Sequence, residues 1–233
     1  MPRLLAALVL LSSAAAARAE TVEDTGMWFA AFGNGPLKDA GGDETPFRWW
    51  FDSHYRLFED AGGFGQSIVR PGLGYALDDT KTLWAGYAWI RTESRVRVGP
   101  VGTMQVDEHR LWQQWAYAPS VGDWKFLHRA RFEQRWVETG DDVGLRWRQF
   151  ARAQRVLPGT DGWSLVAWDE VFLNLNDTDW GAESGYDQNR LFLGVALQDF
   201  PLPGVRGEIG YLNQHLDRAT DRMNHLVSWN VFF

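Results

Sequence analysis

Residues 124–138 read WKFLHRARFEQRWVE, and the alternation in this segment decides the fold class. The even positions carry bulky apolar side chains such as Trp124 and Trp136, whereas the odd positions carry charged ones such as Arg129 and Arg131. Successive side chains of a β-strand point to opposite faces of the sheet. The segment therefore predicts a strand with one apolar and one charged face.

The same alternation recurs along the chain between clusters of Gly, Pro and Asp, and it predicts an all-β fold. Most of the runs are longer than the ~5–6 residues usual in soluble strands and reach the ~9–11 residues with which a tilted strand crosses a bilayer. An open sheet edge would leave unpaired backbone groups in hydrocarbon. We therefore expect a closed, antiparallel, up-and-down transmembrane β-barrel of about 10–12 strands. The candidate strands are residues 27–34, 46–59, 63–77, 82–97, 104–118, 123–138, 143–157, 162–175, 187–200, 204–217 and 222–233.

These eleven candidates raise a parity problem, because single-chain bacterial barrels normally have an even number of strands. With the C-terminus in the periplasm, the connections at 176–186 and 98–102 fall outside the cell. The run at 46–59 then becomes the first upward strand, and residues 27–34 are surplus. We expect ten spanning strands, with twelve as the alternative.

Composition and the N-terminus indicate where the protein resides. The 233-residue chain has a net charge of −7 and no cysteine, which excludes disulfides and thiolate metal sites and argues against nucleic-acid binding. Residues 1–19 resemble a cleavable signal peptide, with Arg3 before an apolar run at 4–11 and Ala17-Arg18-Ala19 at its end. We expect residues 20–233 to form a single barrel domain in the outer membrane of a Gram-negative bacterium.

In a membrane barrel, the charged strand faces would enclose the interior. A barrel of about ten strands has little space left beyond its own side chains, so we expect a filled, wetted and charge-paired interior. An ion-pair network that holds the barrel is the favoured interpretation, and a narrow, anion-favouring solute passage is the functional alternative. The predicted network comprises Arg48, Asp52, Arg56, Arg70, Arg129, Arg131, Glu133, Arg135, Arg146, Arg148, Arg152, Arg190, Arg206 and Glu208.

The sequence assigns no catalytic, cofactor-binding or metal-binding residue, and it favours a protein that is not an enzyme. A membrane-embedded lipid or acyl hydrolase is the first alternative, because Ser53 beside His54, or Ser228 near His225, could contribute to a triad assembled between strands. A soluble periplasmic β-barrel binding protein, with its apolar face inside, is the second alternative.

Two smaller sets of polar residues carry expectations of their own. Asp169 and Glu170 are neighbours in a strand and must face opposite sides, so we expect one of them to meet an arginine across the interior. His215 and His225 could meet across the last hairpin as part of a metal site, although packing at the rim is the favoured interpretation.

Several short motifs resemble the bacterial family named domain of unknown function 2490. They are Arg70–Tyr75 (RPGLGY), Trp84–Tyr87 (WAGY), Asp107–Gln114 (DEHRLWQQ), Arg131–Arg135 (RFEQR), Trp168–Glu170 (WDE), Asn174–Asp179 (NLNDTD), Asp187–Arg190 (DQNR), Gly210–Gln214 (GYLNQ) and Asn224–His225 (NH). The resemblance extends over essentially all of residues 20–233. It implies a Gram-negative envelope protein and supplies no catalytic residue.

The C-terminus also resembles that of outer-membrane barrels. Trp229, Val231 and Phe233 alternate with polar residues up to a terminal aromatic residue. This resemblance implies that the final strand is recognised by the barrel-assembly machinery during insertion. The expected partners are therefore that machinery and outer-membrane lipids, with no nucleic acid.

Overall fold

The computed structural model describes residues 21–58, 63–96, 102–160 and 162–233. Within these ranges, no helix is long and apolar enough to cross a membrane. The predicted signal peptide, residues 1–19, lies outside the described residues. The strands are β1 (Val22–Lys38), β2 (Glu44–Phe58), β3 (Gly63–Ala76), β4 (Lys81–Val96), β5 (Gly102–Tyr117), β6 (Ser120–Val121), β7 (Trp124–Val137), β8 (Gly144–Val156), β9 (Trp163–Asn174), β10 (Gly185–Leu197), β11 (Arg206–Leu216) and β12 (Arg222–Phe232).

All of these strands except the two-residue β6 form one closed circle. Consecutive strands are antiparallel neighbours, and β5 pairs directly with β7. The circle closes where β1 runs parallel to β12, from Val22 opposite Arg222 to Phe32 opposite Phe232. The fold is a closed, mixed β-barrel of 11 strands.

The expectation of ten strands in a wholly antiparallel barrel is wrong. Residues 27–34, predicted to be surplus, lie inside β1, which pairs with β2 on one side and with β12 on the other. The parity argument assumes that the first and last strands close antiparallel. A parallel seam satisfies the same backbone groups with an odd number of strands.

The connections distinguish two ends of the barrel, which we name for reference. The loop end carries the connections 138–143, 175–184 and 217–221. The turn end carries the connections 77–80 and 198–205, together with the C-terminal residue Phe233. The longest connection that is fully described, 175–184, therefore lies at the loop end.

The charged strand faces point into the barrel, and the apolar faces point outward. In β7, Arg131 is 0% exposed and Glu133 is 1% exposed, whereas the exposed fractions of Trp124 and Trp136 are 42% and 38%. Ion pairs link the enclosed charges, as between Glu133 and Arg146. The predicted charged interior is confirmed.

Aromatic side chains also fill the interior, which the alternation did not predict. Trp112 is fully buried, and its ring lies edge-on to Trp50 at a centroid distance of 6.4 Å. A Cβ atom at Gly72 would lie 2.6 Å from Trp112 Cζ2, and one at Gly86 would lie 2.4 Å from the same atom. These two glycines leave the space that the indole occupies.

A second apolar cluster lies on the wall formed by β9 to β12 and β1. Phe192 is fully buried and stacks on Trp168 with a centroid distance of 5.3 Å. Leu212 and Leu226 belong to the same cluster. The interior therefore combines apolar clusters with charged side chains and is not uniformly polar.

Candidate functional site

Glu133, on β7, is a carboxylate on which several arginines converge. Its Oε2 atom accepts hydrogen bonds from Arg146 Nη2 at 2.6 Å and Nε at 3.0 Å, and its Oε1 atom accepts one from Arg148 Nη1 at 2.6 Å. Arg110 lies 3.7 Å away and Arg131 3.9 Å away. Because Glu133 is 1% exposed, these contacts form where water screens them least.

Two further carboxylates extend the network. Glu170 binds Arg148 Nη2 and Arg129 Nη2, each at 2.7 Å. Glu108 accepts a two-pronged contact from Arg110, with both hydrogen bonds at 2.7 Å. Arg148 therefore bridges Glu133 and Glu170, which links β7, β8 and β9 through charge as well as through the backbone ladder.

Glu108 also binds Arg135, whose Nε atom donates to its Oε1 atom at 2.5 Å. Asp187, at the start of β10, pairs with Arg218 at 2.9 Å and with Arg146 at 3.4 Å. These contacts carry the network towards the loop end, where Arg218 lies in the 217–221 connection.

Asp52 occupies a separate position on β2. Its carboxylate accepts hydrogen bonds from Trp50 Nε1 at 2.6 Å and contacts His54 Nε2 at 2.9 Å. Arg70 Nη1 lies 3.5 Å from Asp52 Oδ2. Asp52 is 0% exposed, so its charge is balanced by these neighbours and not by solvent.

Near the turn end, a smaller group of charges is linked to one carboxylate. Arg152 lies 2.7 Å from Glu208 and Arg206 lies 3.6 Å from it. Arg48 is half-buried in β2, and no ion pair of Arg48 occurs among the described residues. Three of the predicted network residues therefore have no ion pair among the described residues: Arg48, Arg56 and Arg190. The last two donate to neutral amides.

Sequence reasoning missed several members of the network: Glu108, Arg110, Gln114 and Asp187. Arg131 donates to Gln114 Oε1 through both Nε and Nη2. Glu108, Arg110, Trp112 and Gln114 are spaced two apart in the motif DEHRLWQQ, so the alternation could have placed them on one face. Of the neighbours Asp169 and Glu170, Glu170 meets arginines, whereas Asp169 binds Asn189 on the outside.

The histidines and serines have other partners than those considered from sequence. His215 Nδ1 contacts the Tyr186 hydroxyl at 2.9 Å, and His225 contacts the hydroxyl of Tyr211 at 2.5 Å. Ser228 donates to Asn230. Within the described part of the chain, no group of three or more His, Asp or Glu side chains has the arrangement of a metal site.

A cavity of about 1170 Å³ occupies the interior at the loop end. Its lining runs from the buried side chains of Trp28, Arg56, Arg70 and Arg190 up to residues of the 175–184 and 217–221 connections. The charge network forms part of its wall through Arg146 and Arg148. The cavity thus leaves room for a solute in this part of the described interior.

The connection 175–184 is held over one side of this cavity by contacts with the connection 138–143. Asp179 accepts hydrogen bonds from the backbone N–H groups of Asp141 at 2.8 Å and Asp142 at 3.2 Å. These two bonds lower the pKa of the Asp179 carboxyl below its usual range. Trp180 donates to the Asp142 carbonyl at 2.8 Å, and its ring lies 4.9 Å from the Arg135 guanidinium.

We predict that Glu133→Gln lowers the free energy of unfolding by about 3–5 kcal/mol, because it leaves Arg146 and Arg148 without their shared buried carboxylate. Denaturant titration followed by tryptophan fluorescence measures the change. Asp169→Asn is the control, since it makes the corresponding change in an outward-facing carboxylate that pairs with an amide. Equal destabilisation by the two variants would contradict a special role for Glu133.

Comparison with known proteins places the chain in a family. No solved structure matches it. An uncharacterized protein of Methylorubrum extorquens is 35% identical over 238 residues, covering 98% of this chain and 96% of the relative. Residues 25–225 match the family described as "Protein of unknown function (DUF2490)". The resemblance of the short motifs is therefore confirmed, and the chain belongs to the DUF2490 family.

Proposed function

We propose that this protein is an outer-membrane β-barrel of a Gram-negative bacterium, exported through a cleavable signal peptide, whose interior is a structural charge network closed to free solute passage. The observation that carries the proposal is the apolar outer surface. Each of the 11 barrel strands exposes at least one large apolar side chain. Examples in chain order are Met27, Tyr55, Leu73, Leu83, Leu111, Phe126, Trp147, Leu165, Leu193, Ile209 and Val227.

This apolar belt supports a lipid environment. Large exposed apolar patches on soluble monomers rarely exceed a few hundred Å², and a belt around a whole barrel is much larger. Leu73 is 64% exposed and Leu193 is 54% exposed, although both lie within strands. Contact with acyl chains would remove such side chains from water, which is favourable by roughly 25 cal/mol per Å².

Strand length and closure support the same environment. The barrel strands contain 11 to 17 residues, which meets the roughly 9–11 residues that a tilted strand needs to cross a bilayer. The circular pairing leaves no open edge between neighbouring barrel strands. Backbone groups can therefore be satisfied in hydrocarbon, which is the condition for a spanning sheet.

Outward-facing polar side chains within the strands bind one another across strand pairs. Gln113 and Gln134 exchange amide hydrogen bonds, and Asn189 donates to Asp169 at 2.8 Å. Such pairing lowers the cost of facing an apolar medium, because each donor already has an acceptor.

Dense packing supports a structural interior over a continuous passage. Side chains from eight of the barrel strands have less than 2% of their surface exposed, which leaves little room for water beside them. They are Asp52, Ile90, Trp112, Arg131, Glu133, Phe172, Phe192, Glu208, Leu212 and Leu226. Arg131 lies 4.5 Å from the Trp112 ring, so a cation and an indole occupy the space between β5 and β7.

Membrane insertion is tested by Leu193→Arg. We expect this change to destabilise the folded protein in lipid vesicles by about 2–4 kcal/mol, because it places a charge on the lipid face within a strand. Leu202→Arg is the matched control, since Leu202 is 63% exposed but lies in a connection at the turn end. Folding is measured by heat-modifiable migration after refolding into vesicles. Equal tolerance of both changes, with recovery in the detergent-free soluble fraction, would contradict the proposal and favour a soluble binding protein.

Recognition by the barrel-assembly machinery is tested by deleting Phe233. The residue is 57% exposed at the turn end, and its backbone N–H donates to the Phe32 carbonyl at 3.0 Å. We expect the deletion to reduce recovery of folded protein in the outer-membrane fraction several-fold in cells. Refolding of the same variant into vesicles, which does not use the machinery, serves as the control. Unchanged recovery in cells would contradict a signal at Phe233.

Closure of the interior is tested in planar bilayers. The inserted protein should give no conductance steps above the bilayer background, because packed side chains occupy the space below the cavity. Protease protection of the same preparation establishes that the protein has inserted. A lack of conductance then cannot result from a lack of protein in the bilayer. Reproducible, anion-selective steps would instead support the narrow solute passage.

A further inference from the structure

The inner end of the cavity contains two arginines that have no carboxylate partner among the described residues. Arg56 is 6% exposed, and its Nη1 atom donates to Gln66 Oε1 at 2.6 Å. Arg190 is 9% exposed, and its Nε atom donates to Gln188 Oε1 at 3.2 Å. Both of these partners are neutral amides, so neither cation is neutralised by the contact it makes.

Both cations lie against the same indole. The guanidinium carbon of Arg56 is 3.9 Å from the Trp28 ring centroid, and that of Arg190 is 4.9 Å from it. A cation–π contact stabilises each guanidinium, but it supplies no negative charge to offset the repulsion between the two. Two buried cations therefore share one aromatic surface, and neither forms an ion pair there. Glu170, opposite Arg190 in the sheet, is the nearest cross-strand carboxylate, but its ion pairs are with Arg148 and Arg129.

Three N–H groups on residues of the cavity lining have no acceptor. They are Trp28 Nε1, Arg56 Nε and Arg70 Nε, each buried and without a hydrogen-bond partner among the described residues. All three are donor-only groups. A buried donor without an acceptor is costly, and its occurrence calls for a specific explanation.

The carboxylates of the cavity lining do not serve as acceptors for Arg56 and Arg190. Other groups already bind some of them, and the others lie elsewhere in the lining. Glu108 binds Arg110 and Arg135, and Asp187 binds Arg146 and Arg218. The other acidic residues of the lining belong to strand ends or connections at the loop end: Glu93, Glu183, Asp217 and Asp221. The inner end of the cavity thus has an excess of donors and of positive charge.

We propose that the inner end of this cavity binds the carboxylate or phosphate group of an anionic ligand through Arg56 and Arg190. An oxyanion supplies both the missing negative charge and several acceptor lone pairs. Arginine is suited to this task because its planar fork binds carboxylate and phosphate in a two-pronged manner. The inference rests on the cavity geometry and does not depend on the membrane location.

The cavity leaves room for more than an inorganic ion. Its volume of about 1170 Å³ slightly exceeds the roughly 300–1,000 Å³ typical of small-molecule sites. The anionic group would lie deep, beside Trp28, and the remainder of the ligand would extend towards the connections at the loop end. The ligand class is therefore an organic acid or a phosphate ester.

Calorimetric titration of the folded, full-length protein tests the proposal with three probes: citrate for carboxylates, inorganic phosphate for phosphates, and glucose as a neutral control. We expect saturable binding of citrate or phosphate and none of glucose. The tighter of the two anions identifies the class of the natural ligand. Absence of saturable binding of both anions would overturn the proposal.

Variants locate the site. Arg56→Gln and Arg190→Gln should each weaken anion binding at least tenfold, because each removes one charged fork. Arg206→Gln is the matched control: Arg206 is also partly buried in a strand, but it lies near the turn end beside Glu208. It should change binding less than twofold. An equal loss in all three variants, or no loss in the first two, would overturn the assignment.

Arg56→Lys guards against a loss of folding, since it keeps the charge and removes the planar fork. Circular dichroism and heat-modifiable migration establish which variants are folded before titration. A folded Arg56→Lys protein should bind the anion more weakly than wild type and more tightly than Arg56→Gln. Should Arg56→Gln fail to fold, the comparison of Arg190→Gln and Arg56→Lys with Arg206→Gln decides the question. Wild-type affinity in both folded variants would contradict the proposal.

Discussion

The interior of this barrel depends on one electrostatic constraint: guanidinium groups enclosed by the sheet must find carboxylates or other acceptors there. Glu133 illustrates the constraint, because two arginines of the neighbouring strand bind it directly and two others lie within 4 Å. An enclosed charge without a partner would cost several kcal/mol. The charged face of each alternating strand must therefore lie on the side of the sheet where these partners are. This requirement decides which face of every strand points into the barrel.

The direction of the side chains could be predicted from sequence, because it depends only on the two-residue period of a strand. In residues 124–138, for example, Arg131 and Glu133 are two positions apart and must therefore share a face. The identity of the ion pairs could not be predicted, because it depends on the stagger between strands. Glu133 lies opposite Arg146 but also binds Arg148, and Glu170 lies opposite Phe150 yet binds Arg148 and Arg129. Such diagonal contacts follow from three-dimensional register and not from spacing along the chain.

The cavity and the number of strands could not be predicted from the sequence, for two different reasons. Arg56 and Arg190 follow the same alternation as the paired arginines, so no local pattern distinguishes a cation that lacks a carboxylate from one that has it. The strand number failed because the parity argument assumes that the first and last strands close antiparallel, whereas β1 runs parallel to β12. No local pattern in β1 shows this, because the pairing depends on how segments from the two extremes of the sequence meet.

The parallel seam has a topological consequence. In an even-stranded barrel the two chain ends meet at one rim, so a short peptide could join them and the chain could be opened at another hairpin. Here Val22 and Phe232 lie at opposite rims, although β1 and β12 are hydrogen-bonded neighbours. A circular permutant would need a linker that runs the whole height of the wall. The seam also joins segments from the two extremes of the sequence. Closing the barrel therefore requires the strand pairing with the greatest separation along the chain, and pairings of this kind form slowly.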